Sequence, residues 1–594
     1  MYLGIDVGGT HTDAVVMDGR TIAASIKVPT DHHDLLASVR AAMQGLLQPH
    51  GGVEPGRITR MNLSTTLSTN AIVEGKTEDV AVVVSAGPGI DPEHFRVGRF
   101  YFPVGGSIDH RGEEIAPLDP AEMARVSAAC CDAGVRLFAA VGKFSTRNPA
   151  HETAMGEALG ARSGGSPAPG TVIDGRCGDF VSLGHRLSGQ LNFPRRVATA
   201  YYNSAVWRVY NRFADAIEQS AREFGITAPI HILKADGGTM PLAVSRELPV
   251  ESILSGPAAS VMGIIALCDI REDCVILDIG GTTTDIAVFA CGSPVIEKDG
   301  IEVGSYPTLV RALKTRSIGV GGDSRLHVAA GAVRVGPERA GASMAMGGTR
   351  PTLIDALNYR GHAAVGDVAA SVRGIRELAG LWDLYPERLA DDAIAEAVAR
   401  IRVAVTDLVD EVNARPVYTI MELLQGRVVE PAAVYLMGGP AKVMQPLLAP
   451  ALGKRVEVPD DFAVANAIGA ALTRTTAELE LFADTEKGVL FIPTLGVERK
   501  TDRGFDLERA KADARDALLE HLAGLGVTGG EAAVEVVEAS SFNMVGDYGT
   551  VGRNIRVKCQ VRPGIMGEQV RSGQQGNGGR NACGCKPCPD EAGA

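Results

Sequence analysis

The 594-residue sequence lacks three features that would place it in other classes of protein. It has no apolar run approaching the ~18 residues of a membrane-spanning helix, and Tyr2 enters an apolar stretch without the basic segment of a signal peptide. Basic residues are not in excess, because the net charge is −13, so we expect no binding to nucleic acid or membranes. The ten cysteines lie mostly within apolar runs, which indicates reduced thiols and a cytoplasmic location.

What the sequence does contain is a duplicated motif. The segment Asp6-Val-Gly-Gly-Thr-His-Thr-Asp13 recurs as Asp278-Ile-Gly-Gly-Thr-Thr-Thr-Asp285, and each copy lies between two apolar runs. Each therefore predicts a β-hairpin with Gly-Gly-Thr at its tip, where backbone N–H groups and threonine hydroxyls can bind an anion. The first Asp of each copy would repel a phosphate, and it is suited to hold Mg²⁺ or water beside one. Two matched hairpins indicate a duplicated domain that holds one polyphosphate from both sides.

The order of strands and helices predicts several domains. Strand signals alternate with helical patterns as far as residue 474, which is typical of α/β architecture. We predict lobe I at 1–270, with the first hairpin and an inserted subdomain, and lobe II at 271–474, with the second hairpin. A small α+β domain is predicted at 485–570, followed by a disordered, Cys-containing tail at 571–594.

Local patterns predict further elements. Long helices are expected at 194–224 and 507–525. Ser255 is expected to cap a helix that runs to Cys268, and the segment 319–324 to precede a helix with free N–H groups. His151 and Glu152 are interpreted as part of a helix cap at the surface.

The cysteines allow two further interpretations. Cys130 and Cys131 are expected to be core residues of a helix. In the tail, Cys583, Cys585 and Cys588 could bind Zn²⁺ or another soft metal, or they could be redox-labile thiols.

Together these features resemble the actin–hexokinase–heat-shock-chaperone ATPase superfamily and, more narrowly, the hydantoinase A/5-oxoprolinase family. The matching segments follow the family's order and are Ile5–Ala14, Ser64–Ile72, Asn148–Glu152, Ala235–Thr239, Ser255–Ala259, Leu277–Ile286, Val335–Ser343 and Met437–Lys442. The resemblance implies an α/β fold with two duplicated ribonuclease-H-like lobes around a nucleotide cleft, the actin-like ATPase fold, plus the small C-terminal domain.

The chain departs from the family pattern at three places. Leu63-Ser64 replaces a usual His-Gly, the loop Ser343–Thr352 is shortened, and Asp323 stands where the family has glycine. All three lie where substrate or metal contacts are expected. The ATPase part of the resemblance is therefore better supported than a hydantoin or oxoproline substrate.

The resemblance implies ATP and Mg²⁺ as cofactors and the transfer of the γ-phosphoryl group to the carbonyl oxygen of a small amide. For catalysis it implies Asp6 and Asp278, which would also hold the metal, together with Asp13 and Asp285. For phosphate binding it implies Gly8, Gly9, Thr10, His11, Thr12, Gly280, Gly281, Thr282, Thr283, Gly321, Gly322 and Asp323. Gly438 and Gly439 would pass beneath the adenosine, and Thr65, Thr66, Thr69 and Asn70 would contact the substrate.

Each assignment has a structural alternative. The aspartates could satisfy their own turns or backbone, the glycine pairs could form ordinary turns or a helix N-cap, and the threonine segment could begin a capped helix.

The expected function is that of an ATP-dependent hydrolase of the hydantoinase/oxoprolinase type, acting on a small cyclic amide or related carbonyl compound. A second hydantoinase-type subunit and an oligomeric state are implied as well. Two other functions fit the same cleft: an ATP-driven reactivase or assembly factor for a protein partner, and a small-metabolite kinase. What accelerates ATP turnover would distinguish them.

Overall fold

The computed structural model describes residues 1–31, 34–48, 50, 52–160, 178–297, 299–339, 341–414, 428–527, 534–546 and 549–566. The predicted tail at 571–594, with its three cysteines, lies outside these residues. Within the described ranges, no helix combines the length and the apolar character that a membrane crossing requires.

The strands, numbered along the chain, are β1 (Tyr2–Val7), β2 (His11–Asp18), β3 (Thr21–Pro29), β4 (Arg60–Thr65), β5 (Val80–Ser85), β6 (Phe100–Pro103), β7 (Ser107–Ile108), β8 (Glu114–Ala116), β9 (Leu137–Gly142), β10 (Phe180–Leu183), β11 (Ile230–Leu233), β12 (Thr239–Pro241), β13 (Cys274–Ile279), β14 (Thr284–Ala290), β15 (Ser293–Pro294), β16 (Ile296–Glu297), β17 (Glu302–Val303), β18 (Tyr306–Pro307), β19 (Ala312–Leu313), β20 (Thr315–Ile318), β21 (Ser324–Ala329), β22 (Ala332–Arg339), β23 (Ala433–Met437), β24 (Arg455–Glu457), β25 (Glu478–Asp484), β26 (Val489–Ile492), β27 (Val497–Lys500), β28 (Val534–Gly546) and β29 (Gly549–Val561).

The α-helices are α1 (Leu35–Leu46), α2 (Leu67–Val73), α3 (Pro120–Asp132), α4 (Ala150–Ala158), α5 (Gly184–Leu187), α6 (Phe193–Glu223), α7 (Leu242–Glu247), α8 (Ser255–Leu267), α9 (Leu353–Tyr359), α10 (Val368–Leu381), α11 (Pro386–Asn413), α12 (Ala441–Leu452), α13 (Ala465–Leu472) and α14 (Leu507–Gly524). The long helices expected at 194–224 and 507–525 are confirmed as α6 and α14.

Lobe I is built on a sheet of order β12-β11-β4-β1-β2-β3. The meander β1–β2–β3 is antiparallel, whereas β4 and β11 run parallel to β1. Strands β1 and β4 are buried over all but their first residues, as expected for the middle of a sheet covered on both faces. The carboxyl ends of β1, β4 and β11 therefore meet at one edge of the sheet.

Lobe II repeats this arrangement. The antiparallel hairpin β13–β14 is followed by β20 on its outer side, while β23 and β24 continue the sheet in parallel on the other side of β13. The equivalent strand order in both lobes confirms the predicted α/β fold with duplicated cores.

An inserted subdomain in lobe I carries a parallel sheet of order β10-β9-β5-β6. Helix α6 joins it to lobe I, because the residues from Val197 to Trp207 pack on the inserted sheet whereas Tyr210 and Ile217 pack in the core of lobe I. The length of α6, 31 residues, is what allows one helix to serve both cores.

The C-terminal domain is an antiparallel sheet of order β27-β26-β25-β29-β28 with α14 packed against it. Its central strand β25 begins at Glu478, before the predicted start of the domain at 485. Only residues 473–477 lie between α13 and β25, so the sequence shows no long linker there.

Three local predictions are wrong. The segment 319–324 leads into β21 and not into a helix. Helix α8 begins after Leu254, whose φ is +58°, and Ser255 makes no cap bond. Cys130 is buried and free as expected, but Cys131 is half-buried and disulfide-bonded, so the core and reduced-thiol interpretation does not apply to it.

Candidate functional site

The two motif copies form equivalent hairpins, as predicted. Asp6 pairs with Asp13 across β1–β2, and Asp278 pairs with Asp285 across β13–β14. Each turn is closed by its first glycine: Gly8 N donates to the carbonyl oxygen of the residue three positions on at 3.1 Å, and Gly280 N does the same at 2.9 Å. These two N–H groups stabilise the turns, so the donors for an anion must come from the residues that follow.

The tips of the hairpins face each other. A Cβ built on Gly281 would lie 2.8 Å from Thr10 Oγ1 and 2.8 Å from Asp323 Oδ2, so only glycine permits this approach. A Cβ on Gly9 would meet nothing within 4 Å, which places that glycine at an open surface. The two lobes thus form a narrow cleft lined by hairpin tips.

The threonines of the first motif have different environments. Thr10 is half-exposed at the tip and His11 is exposed, whereas Thr12 is fully buried and its Oγ1 lies 3.0 Å from Thr30 Oγ1. In the second motif, Thr282 is half-buried and Thr283 exposed. The side chain of Thr12 thus points into the protein, and its phosphate contact stays a prediction.

Asp278 is held by two side chains from the helices behind the hairpins. Ser260 Oγ on α8 donates to Asp278 Oδ2 at 2.6 Å, and Asn466 Nδ2 on α13 donates to the same oxygen at 3.1 Å. Neither of these two bonds involves Oδ1 of Asp278. The carboxylate is therefore fixed in orientation from behind.

Asp6 is nearly buried, and its Oδ1 has no hydrogen-bond partner among the described residues. Burial raises its pKa to about 7, and the carboxylates of Asp13 and Asp278 add to the shift. Ser64, in register with Asp6 on the neighbouring strand β4, lies beside it at the position where the family pattern departs. Such an orphaned buried oxygen is costly unless a ligand satisfies it.

Asp13 and Asp285 differ in their partners. Asp13 forms a 2.7 Å ion pair with Lys27, which opposes the rise in its pKa that burial causes. Asp285 is half-buried, and burial followed by repulsion from Asp278 raises its pKa to about 7. Asp13 is thus part of a stable ion pair, whereas Asp285 stays a candidate proton carrier beside the cleft.

The loop 321–323 reaches the second hairpin through its backbone. Gly322 N donates to Gly280 O at 3.0 Å, Asp323 N donates to Gly281 O at 2.5 Å, and Gly321 N donates to Ser324 Oγ at 2.8 Å. Since these N–H groups bond within the protein, the expectation of free donors is wrong. The carboxylate of Asp323 remains near the hairpin tips.

Gly438 and Gly439 follow β23, the strand next to β13. Gly438 has a φ of +88°, and a Cβ built on it would lie 2.3 Å from Ile279 O and 2.6 Å from Asp278 Oδ1. A Cβ on Gly439 would meet nothing within 4 Å. Gly438 therefore permits close packing on the hairpin, while Gly439 lies at an open surface of lobe II.

The predicted substrate residues lie at the carboxyl end of β4. Thr65 is buried and bonds Ser255, and Thr69 Oγ1 accepts from Leu254 N at 3.0 Å. Thr66 and Asn70 are half-buried and bond each other at 3.2 Å. The Thr65 backbone and the Thr69 side chain thus dock this segment on the start of α8, the Thr65 hydroxyl accepts from Leu67 N, and Thr66 and Asn70 keep accessible surface.

His151 and Glu152 do not form a surface cap. Both are buried, and Glu152 accepts hydrogen bonds from Gly142 N at 2.8 Å and from His185 N and Nδ1 at 2.8 and 2.6 Å. The bonds to His185 help to hold the pKa of Glu152 below its usual range despite burial. The pair belongs to a buried polar network at the carboxyl edge of the inserted sheet.

Sequence reasoning missed Ser260, Asn466 and Lys27, which contact the motif aspartates. Ser260 lies one residue beyond the matched segment Ser255–Ala259, so its place near the site could have been suspected. Asn466 is a single polar residue within an alanine-rich helix, and that contrast was the available signal.

The fold and the opposed hairpins place the protein in the class of actin-like ATPase folds. The structure superposes on the nucleotide-free structure of acetone carboxylase with a TM-score of 0.66, covering 95% of this chain and 87% of the other at 16% identity. It superposes on the ATP-dependent caprolactamase from Pseudomonas jessenii with a TM-score of 0.67, covering 94% and 87% at 21% identity. At these identities the similarity establishes the fold.

Sequence models identify the family. Residues 196–479 match the model described as hydantoinase/oxoprolinase, and residues 2–162 match the hydantoinase/oxoprolinase N-terminal region. The chain therefore belongs to the hydantoinase/oxoprolinase family.

Two curated relatives illustrate the range of that family. The caprolactamase subunit alpha of Pseudomonas jessenii is 27% identical over 69% of this chain and 61% of its own length. The acetophenone carboxylase gamma subunit of Aromatoleum aromaticum is 24% identical over 60% of this chain and 52% of its own length. The chain thus matches about half to three fifths of the length of these relatives.

Proposed function

We propose that this protein is an ATP-dependent hydrolase that activates a small cyclic amide or related carbonyl compound by phosphoryl transfer. The observation that carries the proposal is the pair of opposed, equivalent hairpins, with Asp6 and Asp278 at the ends of their first strands. Relatives named caprolactamase and 5-oxoprolinase support the substrate class.

The residues present fit a nucleotide and a divalent cation. Gly9 and Gly439 leave open surface where a side chain would otherwise stand, and the buried Asp6 Oδ1 has no hydrogen-bond partner in the part of the chain that the structure describes. Within the described ranges, no group of three or more His, Cys, Asp or Glu side chains forms a metal site of its own. Asp6 and Asp278 would therefore hold Mg²⁺ together with water and phosphate oxygens, as this ion usually binds.

Mg²⁺ would spread the charge that develops on the transferred phosphoryl group. The chain's own residues supply position: Thr10, Thr282 and the backbone after Gly9 and Gly281 would face the phosphates from the two lobes. Asp278 is oriented by Ser260 and Asn466, which prevents it from rotating away from the cleft.

In the proposed reaction, the amide oxygen attacks the γ-phosphorus and the bond to the β–γ bridging oxygen breaks, which releases ADP. The amide nitrogen loses its proton, and an O-phosphorylated imidate results. Water then attacks the imidate carbon, the C–N bond breaks as the nitrogen takes up a proton, and the ring opens to an acyl phosphate. A second water hydrolyses the acyl phosphate, which leaves the carboxylate and releases inorganic phosphate. This order of steps is needed because an unactivated amide carbonyl is a poor electrophile and its nitrogen is a poor leaving group.

We further propose that a second subunit takes part. Two relatives are named as subunits, caprolactamase subunit alpha and acetophenone carboxylase gamma subunit. A cytoplasmic, oligomeric enzyme would suit this arrangement.

The test is the rate of ATP hydrolysis by the purified chain with Mg²⁺, alone and with lactams, hydantoins, 5-oxoproline or simple ketones. The expected result is stimulation by one small carbonyl compound that is lost in Asp278→Ala. Glu498→Gln, an exposed change on β27, is the matched control and should behave as the wild type.

Stimulation by a protein partner alone would contradict the proposal and favour a reactivase. A stable phosphorylated alcohol as product would instead indicate a kinase. Hydrolysis that persists in Asp278→Ala would show that the opposed hairpins are not the site of turnover.

A further inference from the structure

A cavity of about 530 Å³ lies where the inserted subdomain, lobe I and the C-terminal domain meet. Its walls come from β10 and α5 of the insert, from α7 of lobe I, and from β25 and α14 of the C-terminal domain. The volume falls in the range of about 300–1,000 Å³ that is usual for small-molecule sites. The residues that line it do not include the hairpins, so the cavity is distinct from the proposed nucleotide cleft.

The cavity begins at the same sheet edge as the hairpin of lobe I. Lys234 and Asp236, which line it, follow β11, and β11, β4 and β1 are adjacent parallel strands. Two strand spacings separate β11 from β1, which amounts to roughly 10 Å. The carboxyl edge of parallel strands is where α/β folds bind ligands, so a substrate here would lie beside the cleft.

Three ion pairs in the cavity wall are neutralised within the protein. Lys234 pairs with Asp236 at 3.1 Å, Arg311 pairs with Glu478 at 3.0 Å, and Glu480 pairs with an arginine on β29 at 2.9 Å. The cations of these three pairs are thus occupied, whereas the exposed Arg186 and Glu247, which also line the cavity, lie outside the pairs. An uncharged ligand would not disturb this balance.

Two polar groups of the wall stand apart from the pairs. The carboxyl of Glu251 makes no side-chain hydrogen bond or ion pair with any described residue, although the side chain lines the cavity. Thr494 Oγ1, on the opposite wall, is buried and has no hydrogen-bond partner among those residues. The buried Thr494 Oγ1 without a partner indicates that something else satisfies it, and the half-buried Glu251 lines the same cavity.

We propose that this cavity binds the carbonyl compound and that the compound is an uncharged amide paired with the carboxyl of Glu251. The inference rests on the proposed function for the role of the compound, since the cavity itself shows only where a small polar molecule fits.

The state of Glu251 supports an uncharged partner. Burial raises its pKa to about 7; Lys234 and Arg311 oppose the rise, while Asp236 and Glu478 add to it. A protonated carboxyl has one donor and one acceptor side by side, which matches the C=O and N–H of a cis amide, as in a lactam. The other titratable side chains that line the cavity are Arg186, Glu247, Glu480 and His521.

The experiment is calorimetric titration of the full chain, without ATP, using δ-valerolactam as the uncharged probe and 5-oxoproline as its acidic counterpart. We expect the lactam to bind at least tenfold more tightly, and to weaken as the pH rises from 6 to 8.5. Glu251→Leu should reduce lactam affinity at least tenfold. Glu251→Gln should retain affinity and remove its pH dependence, because an amide also offers a donor and an acceptor.

A second variant separates a ligand site from damage to the fold. Ala243 lies at the exposed rim of the cavity, so Ala243→Trp should fill the cavity and abolish binding while the melting temperature stays unchanged. Glu498→Gln should bind as the wild type. Absence of lactam binding to the wild type, or unchanged affinity in both Glu251→Leu and Ala243→Trp, would overturn the inference.

The same variants distinguish failure of this inference from failure of the proposed function. Asp278→Ala should lose ATP turnover and keep lactam binding. If the lactam binds but never stimulates ATP hydrolysis, the cavity assignment stands and the function is wrong. If a lactam stimulates hydrolysis with the same KM in Glu251→Leu and Ala243→Trp, the function stands and the cavity is not its substrate site.

Discussion

The neighbouring glycines Gly438 and Gly439 allow a sharp test, because the structure predicts opposite effects for the same change. In Gly438→Ala, the new methyl carbon would lie 2.3 Å from Ile279 O and 2.6 Å from Asp278 Oδ1, at a φ of +88°. A left-handed backbone costs a residue with a side chain ~1–2 kcal/mol, and a forced contact in a packed site costs ~1–3 kcal/mol. The free energy of unfolding should therefore fall by about 2–5 kcal/mol.

Gly439→Ala should leave stability within about 0.5 kcal/mol of the wild type, because the added methyl group meets nothing within 4 Å. If adenosine passes over this glycine, the same methyl group should weaken ATP binding. Urea denaturation measures the first effect, and equilibrium binding of a fluorescent ATP analogue measures the second. Equal stability of both variants would refute the packing argument, and unchanged ATP affinity in Gly439→Ala would refute the adenosine assignment.

Three further predictions concern single side chains. Thr12→Val should lose roughly 1 kcal/mol of stability and keep its ATP affinity. Thr10→Val should keep its stability and bind ATP more weakly. Urea denaturation and ATP binding measure the two effects. Asp285→Asn should be more stable than the wild type by up to about 4 kcal/mol at pH 8, and no more stable near pH 4. Because Asp285 has a pKa of about 7 in the folded state, the folded wild type binds more protons than the unfolded chain. Raising the pH through that pKa therefore destabilises the folded wild type, whereas Asn does not titrate. Glu152→Gln should cost roughly 2 kcal/mol at pH 7, and this difference should shrink as the pH falls through the lowered pKa of Glu152. A pH-independent difference in either carboxylate variant would contradict its assignment.

The sequence was most informative where structure is local. The hairpins at Asp6 and Asp278 could be predicted because each is set by a short motif between two apolar runs. The long helix α6 could be predicted because its apolar residues follow helical spacing.

Prediction failed where a residue's role depends on a distant segment. The segment 319–324 has the composition of a helix start, but its N–H groups bond the second hairpin, and β21 pairs with β22 beyond it. The local sequence around Glu152 is typical of a helix cap at the surface. Its actual partner, His185, lies more than thirty residues later in the sequence. Neither contact leaves a periodic signal in the sequence.

The contact between helices α8 and α13 shows why the site requires small residues far from the motifs. A Cβ built on Gly263 of α8 would lie 2.3 Å from Ala465 O, and one on Gly4 of β1 would lie 2.2 Å from Ala467 O. Helix α13 is therefore packed by its backbone against both α8 and the first strand of lobe I. The same helix carries Asn466, which bonds Asp278 of lobe II. A larger side chain at Gly4 or Gly263 would displace α13 and withdraw Asn466 from Asp278, so the orientation of that carboxylate depends on how closely the two lobes pack.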